Sequence, residues 1–84
     1  MDPKLDAEPM PLSDCVELVV QQYLADLQGE TPSNMHRLVM EAVERTLLDT
    51  VLQHCAGQRG VAAQWLGINR NTLRKKLQSY GLET

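Results

Sequence analysis

Eighty-four residues with a net charge of −3, one Trp, two Tyr and no Phe make one small domain, near the size at which a chain alone buries only about 60% of its unfolded surface. A core drawn from Leu, Val, Met and Ala suits helical packing and argues against a sandwich or barrel, so the expected fold class is all-α. No apolar run approaches the roughly 20 residues of a membrane span, and Cys15 and Cys55, without CxxC spacing or a leader segment, argue against a disulfide scaffold and predict a cytoplasmic protein.

Residues 1–11, MDPKLDAEPMP, combine three prolines and four charges with no period of two or 3.6, which predicts a mobile arm. From Leu12 an apolar stripe begins: Cys15, Val16, Val19, Val20, Tyr23, Leu24 and Leu27 recur at steps of three and four. They predict a helix over about residues 12–28, with Ser13 as N-cap and Gly29 as stop. Gly29 to Ser33, with Pro32 among them, form a linker.

A second helix is expected from about Asn34 to Ala56, a stretch without Gly or Pro that ends at Gly57. Met35, Leu38, Val39, Ala42, Val43, Leu47, Leu48, Val51, Leu52 and Cys55 keep helical spacing along it. Such a helix spans roughly 34 Å, whereas a compact monomer of this size has a radius of gyration of only about 12 Å. Its own chain cannot cover it, and two wide apolar stripes call for a partner. A second copy, giving a homodimeric bundle built on residues 12–57, is the simplest one.

Beyond Gly57, residues 58–84 read as two short helices around a turn. Val61, Ala62, Trp65 and Leu66 place a third helix, in which the spacing of Trp65 predicts packing against the second or fourth helix, and Gly67-Ile68 make the turn. The fourth helix runs from about Arg70 to Tyr80, with Asn69 as N-cap, Leu73, Leu77 and Tyr80 facing inward, and Gly81 as a left-handed stop. The outer face is then Arg70, Asn71, Arg74, Lys75 and Gln78, with Thr72 and Lys76 on its flanks.

Charge singles out the same region. From residue 58 on, Arg59, Arg70, Arg74, Lys75 and Lys76 stand against one acid, Glu83, while the first 57 residues carry three basic residues against ten acids. The net charge therefore hides a dipolar chain. An α-helix fits the major groove, where Arg pairs bidentately with guanine and Asn with adenine, so Asn69-Arg70-Asn71 at a helix start is a reading head for double-stranded DNA. Thr72, Arg74, Lys75 and Lys76 lie a turn further on, suited to phosphate contacts that position without specifying sequence. Taken alone, the cations would equally suit the dipole at a helix C-terminus; the combination of short helix, Gly turn, capped second helix and basic outer face favours DNA.

This region, with PLSDCVELVVQQYLADLQG and EAVERTLLDTVLQHCAG, resembles the Fis family of bacterial nucleoid proteins, and the likeness covers residues 11–82. GINRNTLRKKLQSYGL is its most specific part, close to the family's recognition helix. The resemblance implies four helices per chain, a homodimer with its core in the first two helices, and paired recognition helices that contact successive major-groove segments of bent DNA. By the same match Asn69 and Arg70 take base-contacting positions, and Thr72, Arg74, Lys75 and Lys76 phosphate-contacting or groove-lining ones. Target choice would then depend on deformability and an A/T-rich centre. It implies a nucleoid-associated regulator of transcription without cofactor or metal.

Departures qualify the transfer. Members that activate invertases carry a β-hairpin arm, and MDPKLDAEPM is short, proline-rich and without strand alternation, which argues against enhancer activity in recombination. Gly60-Val61 stand where the family often has polar or basic residues, with Arg59 as a substitute; Gln78 and Ser79 replace two lysines; and Thr46 stands where a mid-helix proline can occur, implying a straighter second helix.

Two alternatives stay open beside this reading. One is the DNA-binding module of a larger enhancer-binding activator, against which the chain's own dimer-forming helices and opening Met count. The other is a dimerising adaptor that does not bind DNA and whose basic tail is only surface. An enzyme is not expected, for no phosphate loop, carboxylate pair or nucleophile with a placed base is recognisable. His36, His54, Cys15 and Cys55 have no metal-site spacing, and both cysteines lie on apolar stripes as expected core thiols. Glu17, Asp26, Glu41, Glu44 and Asp49 form an acidic face that is either solvated surface or a docking site for RNA polymerase or another transcription protein.

Overall fold

The computed structural model describes residues 10–83, and the described residues are all-α, without strands. Four helices follow one another: α1 (Leu12–Asp26), α2 (Met35–His54), α3 (Arg59–Leu66) and α4 (Arg70–Ser79). Two compact units divide the chain, one up to Met35 and one from His36 onward. Apart from Met10 and Pro11, the expected mobile arm lies outside the described residues.

In the first unit α1 starts one residue before the expected cap. Pro11, at φ −54° and ψ 145°, already has the fixed φ that a helix entrance requires, and its carbonyl accepts from the N–H groups of Asp14 and Cys15 at 3.0 and 3.1 Å. Ser13 therefore falls inside the first turn and is not the cap, while Asp14 complements the helix dipole there. No residue of α1 is buried. Leu12, Leu18, Val19 and Leu24 are 69, 52, 58 and 44% exposed. Cys15, expected in the core, is only half-buried, and its thiol donates weakly to the Met10 carbonyl at 3.8 Å. Gln28 and Gly29, at φ 53° and 88°, end the helix in left-handed geometry.

The second unit has a core of its own. Leu48 from α2 and Cys55 just past its end, Ala62 and Ala63 from α3, and Leu73 and Leu77 from α4 are buried, with Val51, Leu52, Leu66, Ile68 and Leu82 packed around them. Two alanines on α3 let that helix approach its neighbours closely. They also displace the expectation for Trp65, which is 63% exposed. At about 100° per residue, Trp65 points well away from the face defined by Ala62, Ala63 and Leu66.

All three helices of this unit end in one device. In the Schellman motif a residue in left-handed geometry turns the chain so that two further N–H groups reach back to the last carbonyls. After α2, Gly57 N–H donates to Leu52 at 2.9 Å and Ala56 N–H to Gln53 at 3.1 Å; after α3, Ile68 N–H donates to Ala63 at 3.1 Å; after α4, Leu82 N–H donates to Leu77 at 2.9 Å. Gly67 and Gly81 hold the left-handed position after α3 and α4, at φ 70° and 68°, whereas after α2 Ala56 holds it at φ 53°. Gly57, the expected stop, is left-handed as well at φ 78°, but the left-handed turn already starts at Ala56, and α2 ends at His54.

The front of α2 is less covered than its end. Leu38, Met40 and Leu47 are 44, 50 and 49% exposed. Near mid-helix, Thr46 Oγ1 donates to the Ala42 carbonyl at 2.9 Å, a back-bond of the kind that bends helices slightly.

Candidate nucleic-acid interface

The turn between α3 and α4 is built by Gly67 and Asn69. Gly67 reverses the chain at φ 70°, Ile68 drops its side chain against the core, and Asn69 is extended at φ −67° and ψ 143°. Asn69 Oδ1 accepts from the Asn71 N–H at 2.7 Å, so this side chain caps α4 as its sequence position predicted. The second lone pair of Oδ1 and both protons of Nδ2 remain available.

Arg70, the first residue of α4, is exposed and lies over α3. A Cβ added to Gly60 would sit 3.8 Å from its Cζ and 3.9 Å from its Nε. The guanidinium thus passes close to Gly60, where a side chain would come into van der Waals contact with it. With Gly60, Val61, Gln64, Gly67 and Ile68 it lines an open groove of about 580 Å³. Sequence reading treated Gly60 only as a departure from a pattern; its place beneath Arg70 comes from tertiary packing.

Asn71, Thr72, Arg74, Lys75 and Gln78 are exposed along the open side of α4, opposite buried Leu73 and Leu77. With Asn69 and Arg70 they form one amide-rich and cationic surface. Lys76 differs. Its ammonium donates to both carboxylate oxygens of Glu44 on α2, at 3.1 and 3.0 Å, and Tyr80 Oη donates to the same carboxylate at 2.7 Å. The Tyr80 hydroxyl, then Lys76, hold the Glu44 carboxyl below its ordinary pKa, while the bond to Glu44 pushes Tyr80 up to about 12. Glu44 is accordingly half-buried and bound across helices, not part of a free acidic face. Arg59, at the start of α3, pairs with Glu83 at 3.2 Å.

Among the described residues no cluster of three or more His, Cys, Asp or Glu could hold a metal ion, and no helix is long and apolar enough to cross a membrane.

Comparison with known proteins reaches the same region. Residues 39–80 match the profile of the bacterial regulatory protein, Fis family, from the first turns of α2 to just past the end of α4. A Fis-like DNA-binding protein of Ralstonia nicotianae is 49% identical over 72 residues, 86% of this chain and 94% of that protein. The DNA-binding protein Fis of Vibrio atlanticus is 47% identical over 72 residues, covering 86% of this chain and 74% of its own length; that of Vibrio cholerae is 46% identical over the same extent. With half the chain in the family profile and relatives aligned over most of their length, the chain belongs to the Fis family of bacterial regulatory proteins.

Proposed function

We propose that this protein is a homodimer that binds and bends double-stranded DNA, acting without cofactor as a nucleoid organiser and transcriptional regulator in the bacterial cytoplasm. The observation that carries the reading is the capped start of α4. Asn69 is fixed by its bond to Asn71 N–H, Arg70 is exposed beside Gly60, and exposed Thr72, Arg74 and Lys75 follow on the open side. Asn69, Arg70 and Asn71 read base edges in the major groove, and Thr72, Arg74 and Lys75 contact phosphates. Lys76 and Arg59, each beside an acid, stand at the margins of this surface. The names of the relatives, DNA-binding proteins, support the same ligand.

Residues 12–57 supply the dimerisation core and 58–84 the reading unit. The apolar residues exposed on α1 and on the front of α2 form surface that a second copy would cover. Two reading heads on one dimer, set closer than a turn of straight DNA, bend the duplex and favour an A/T-rich centre.

Fluorescence anisotropy with a short A/T-centred duplex tests the ligand. Arg70→Ala is expected to lose about 1–3 kcal/mol of binding and much of the preference over a scrambled duplex. Weak binding indifferent to that substitution would return the protein to a non-DNA adaptor. Light scattering tests assembly: a stable, folded 9.4 kDa species at micromolar concentration would refute the dimer.

A further inference from the structure

The Glu44 carboxylate is gripped from α4 by two side chains four residues apart, one turn of the same helix. Lys76 reaches it at 3.0 and 3.1 Å and the Tyr80 hydroxyl at 2.7 Å. All three bonds join α2 to α4 and its C-cap Tyr80 across 32 and 36 residues of sequence. Side chains of Lys76 and Glu44 are 36 and 34% exposed, and an ion pair so open to water adds little to stability. Its direction matters more. Tyr80 holds the carboxylate in place independently of Lys76, so an anion stays fixed at the flank of the reading helix, where a DNA phosphate would otherwise meet a lysine.

We propose that Glu44 tunes DNA recognition by holding Lys76 against α2, which turns a potential phosphate contact into a strut that orients α4. This rests on the DNA reading above. Sequence-independent affinity grows with the number of phosphates neutralised, while base contacts carry specificity. Withholding one cation per subunit lowers binding to any duplex, and fixing α4 preserves the geometry of Asn69 and Arg70. Glu44 is thus a positioning residue that raises the ratio of specific to non-specific binding without touching DNA.

The test is a set of salt titrations on an A/T-centred and a scrambled duplex with the full chain. Each phosphate contact contributes about 0.9 to the slope of log K against log salt. Glu44→Gln is expected to steepen the slope by about 0.9 for every subunit engaged and to narrow the difference between the two duplexes. Glu44→Gln combined with Lys76→Gln should lose that gain, which a merely structural role for Glu44 would not produce. An unchanged slope in folded Glu44→Gln overturns the inference. Should Glu44→Gln fail to fold, Lys75→Gln and Lys76→Gln in the natural background decide. The first is expected to remove about 0.9 from the slope and the second less than half as much; equal losses overturn the inference. Arg70→Ala separates this from the reading beneath it, because loss of DNA preference there confirms the ligand whatever Glu44 does, and indifference removes both.

Discussion

α1 and the α3–α4 unit solve opposite problems. The unit formed by the end of α2, α3 and α4 buries six residues, Leu73 and Leu77 among them, closes each helix with the same left-handed turn, and leaves no described buried side-chain polar atom without a partner. α1 has ordinary helical chemistry, an apolar stripe and a defined entrance at Pro11, yet buries none of its residues. The contrast teaches that helix formation and helix burial are separate properties: one segment finds its neighbours nearby in its own chain, while the other exposes apolar surface that only another surface can cover.

The largest effect is expected where that local core is removed. Leu77→Ala, at a position with 0% exposure, should destabilise the α3–α4 unit by about 2–5 kcal/mol in chemical denaturation, and a loss below about 0.5 kcal/mol would show that this unit has no core of its own. Effects about the size of one capping bond come next. Asn69→Ala should cost about 1 kcal/mol of stability and, unlike Leu77→Ala, should also weaken DNA binding. Ala56→Gly should stabilise, by up to about 1 kcal/mol, because glycine meets no Cβ penalty in the left-handed geometry that Ala56 occupies at φ 53°; a lowered melting temperature would contradict the assignment of the turn to that residue.

The smallest effect is a pH dependence confined to the second unit. Glu44 has a depressed pKa, so its stabilisation is present above the ordinary carboxylate range and is lost as pH falls through the depressed value. Tyr80 is raised to about 12, so its contribution is complete below the ordinary tyrosine value of 10.0 and fades as pH rises towards 12. Tyr80→Phe should flatten the alkaline limb of a stability profile, and a limb unaltered by that change would assign it to other groups.

Features governed by neighbouring residues were legible in the sequence. The cap at Asn69, the reversal at Gly67, the stop at Gly81 and the inward set Leu73 and Leu77 all follow from spacing within one helix and its ends. The departures have a common cause in competition between local rules or in distance. Ser13 is a good cap by type, but Pro11 had already fixed the entrance. Gly57 marks the stop by type and takes part in it, but the turn starts one residue earlier, at Ala56, where the hydrogen bonds to Leu52 and Gln53 set its register. Trp65 has an inward spacing relative to Ala62, yet the close approach allowed by two alanines chose a face that excludes it. Glu44, Lys76 and Tyr80 meet across more than 30 residues, and nothing in a linear pattern pairs them. Of the proposed interface, the cap at Asn69 and the exposed face of α4 follow from spacing, whereas the approach of Arg70 to Gly60 and the acid beside Lys76 required the packed helices.

The back-bond from Thr46 to the Ala42 carbonyl has a mechanical meaning. α2 is a lever with Thr46 near its middle, and His54 lies about 12 Å further along its axis. A change of about 10° at that point would swing the far end by about 2 Å, more than half the 3.4 Å rise of one nucleotide along a DNA strand. If α4 reads DNA as proposed, this one hydroxyl group would set its reach as a set-screw sets a caliper.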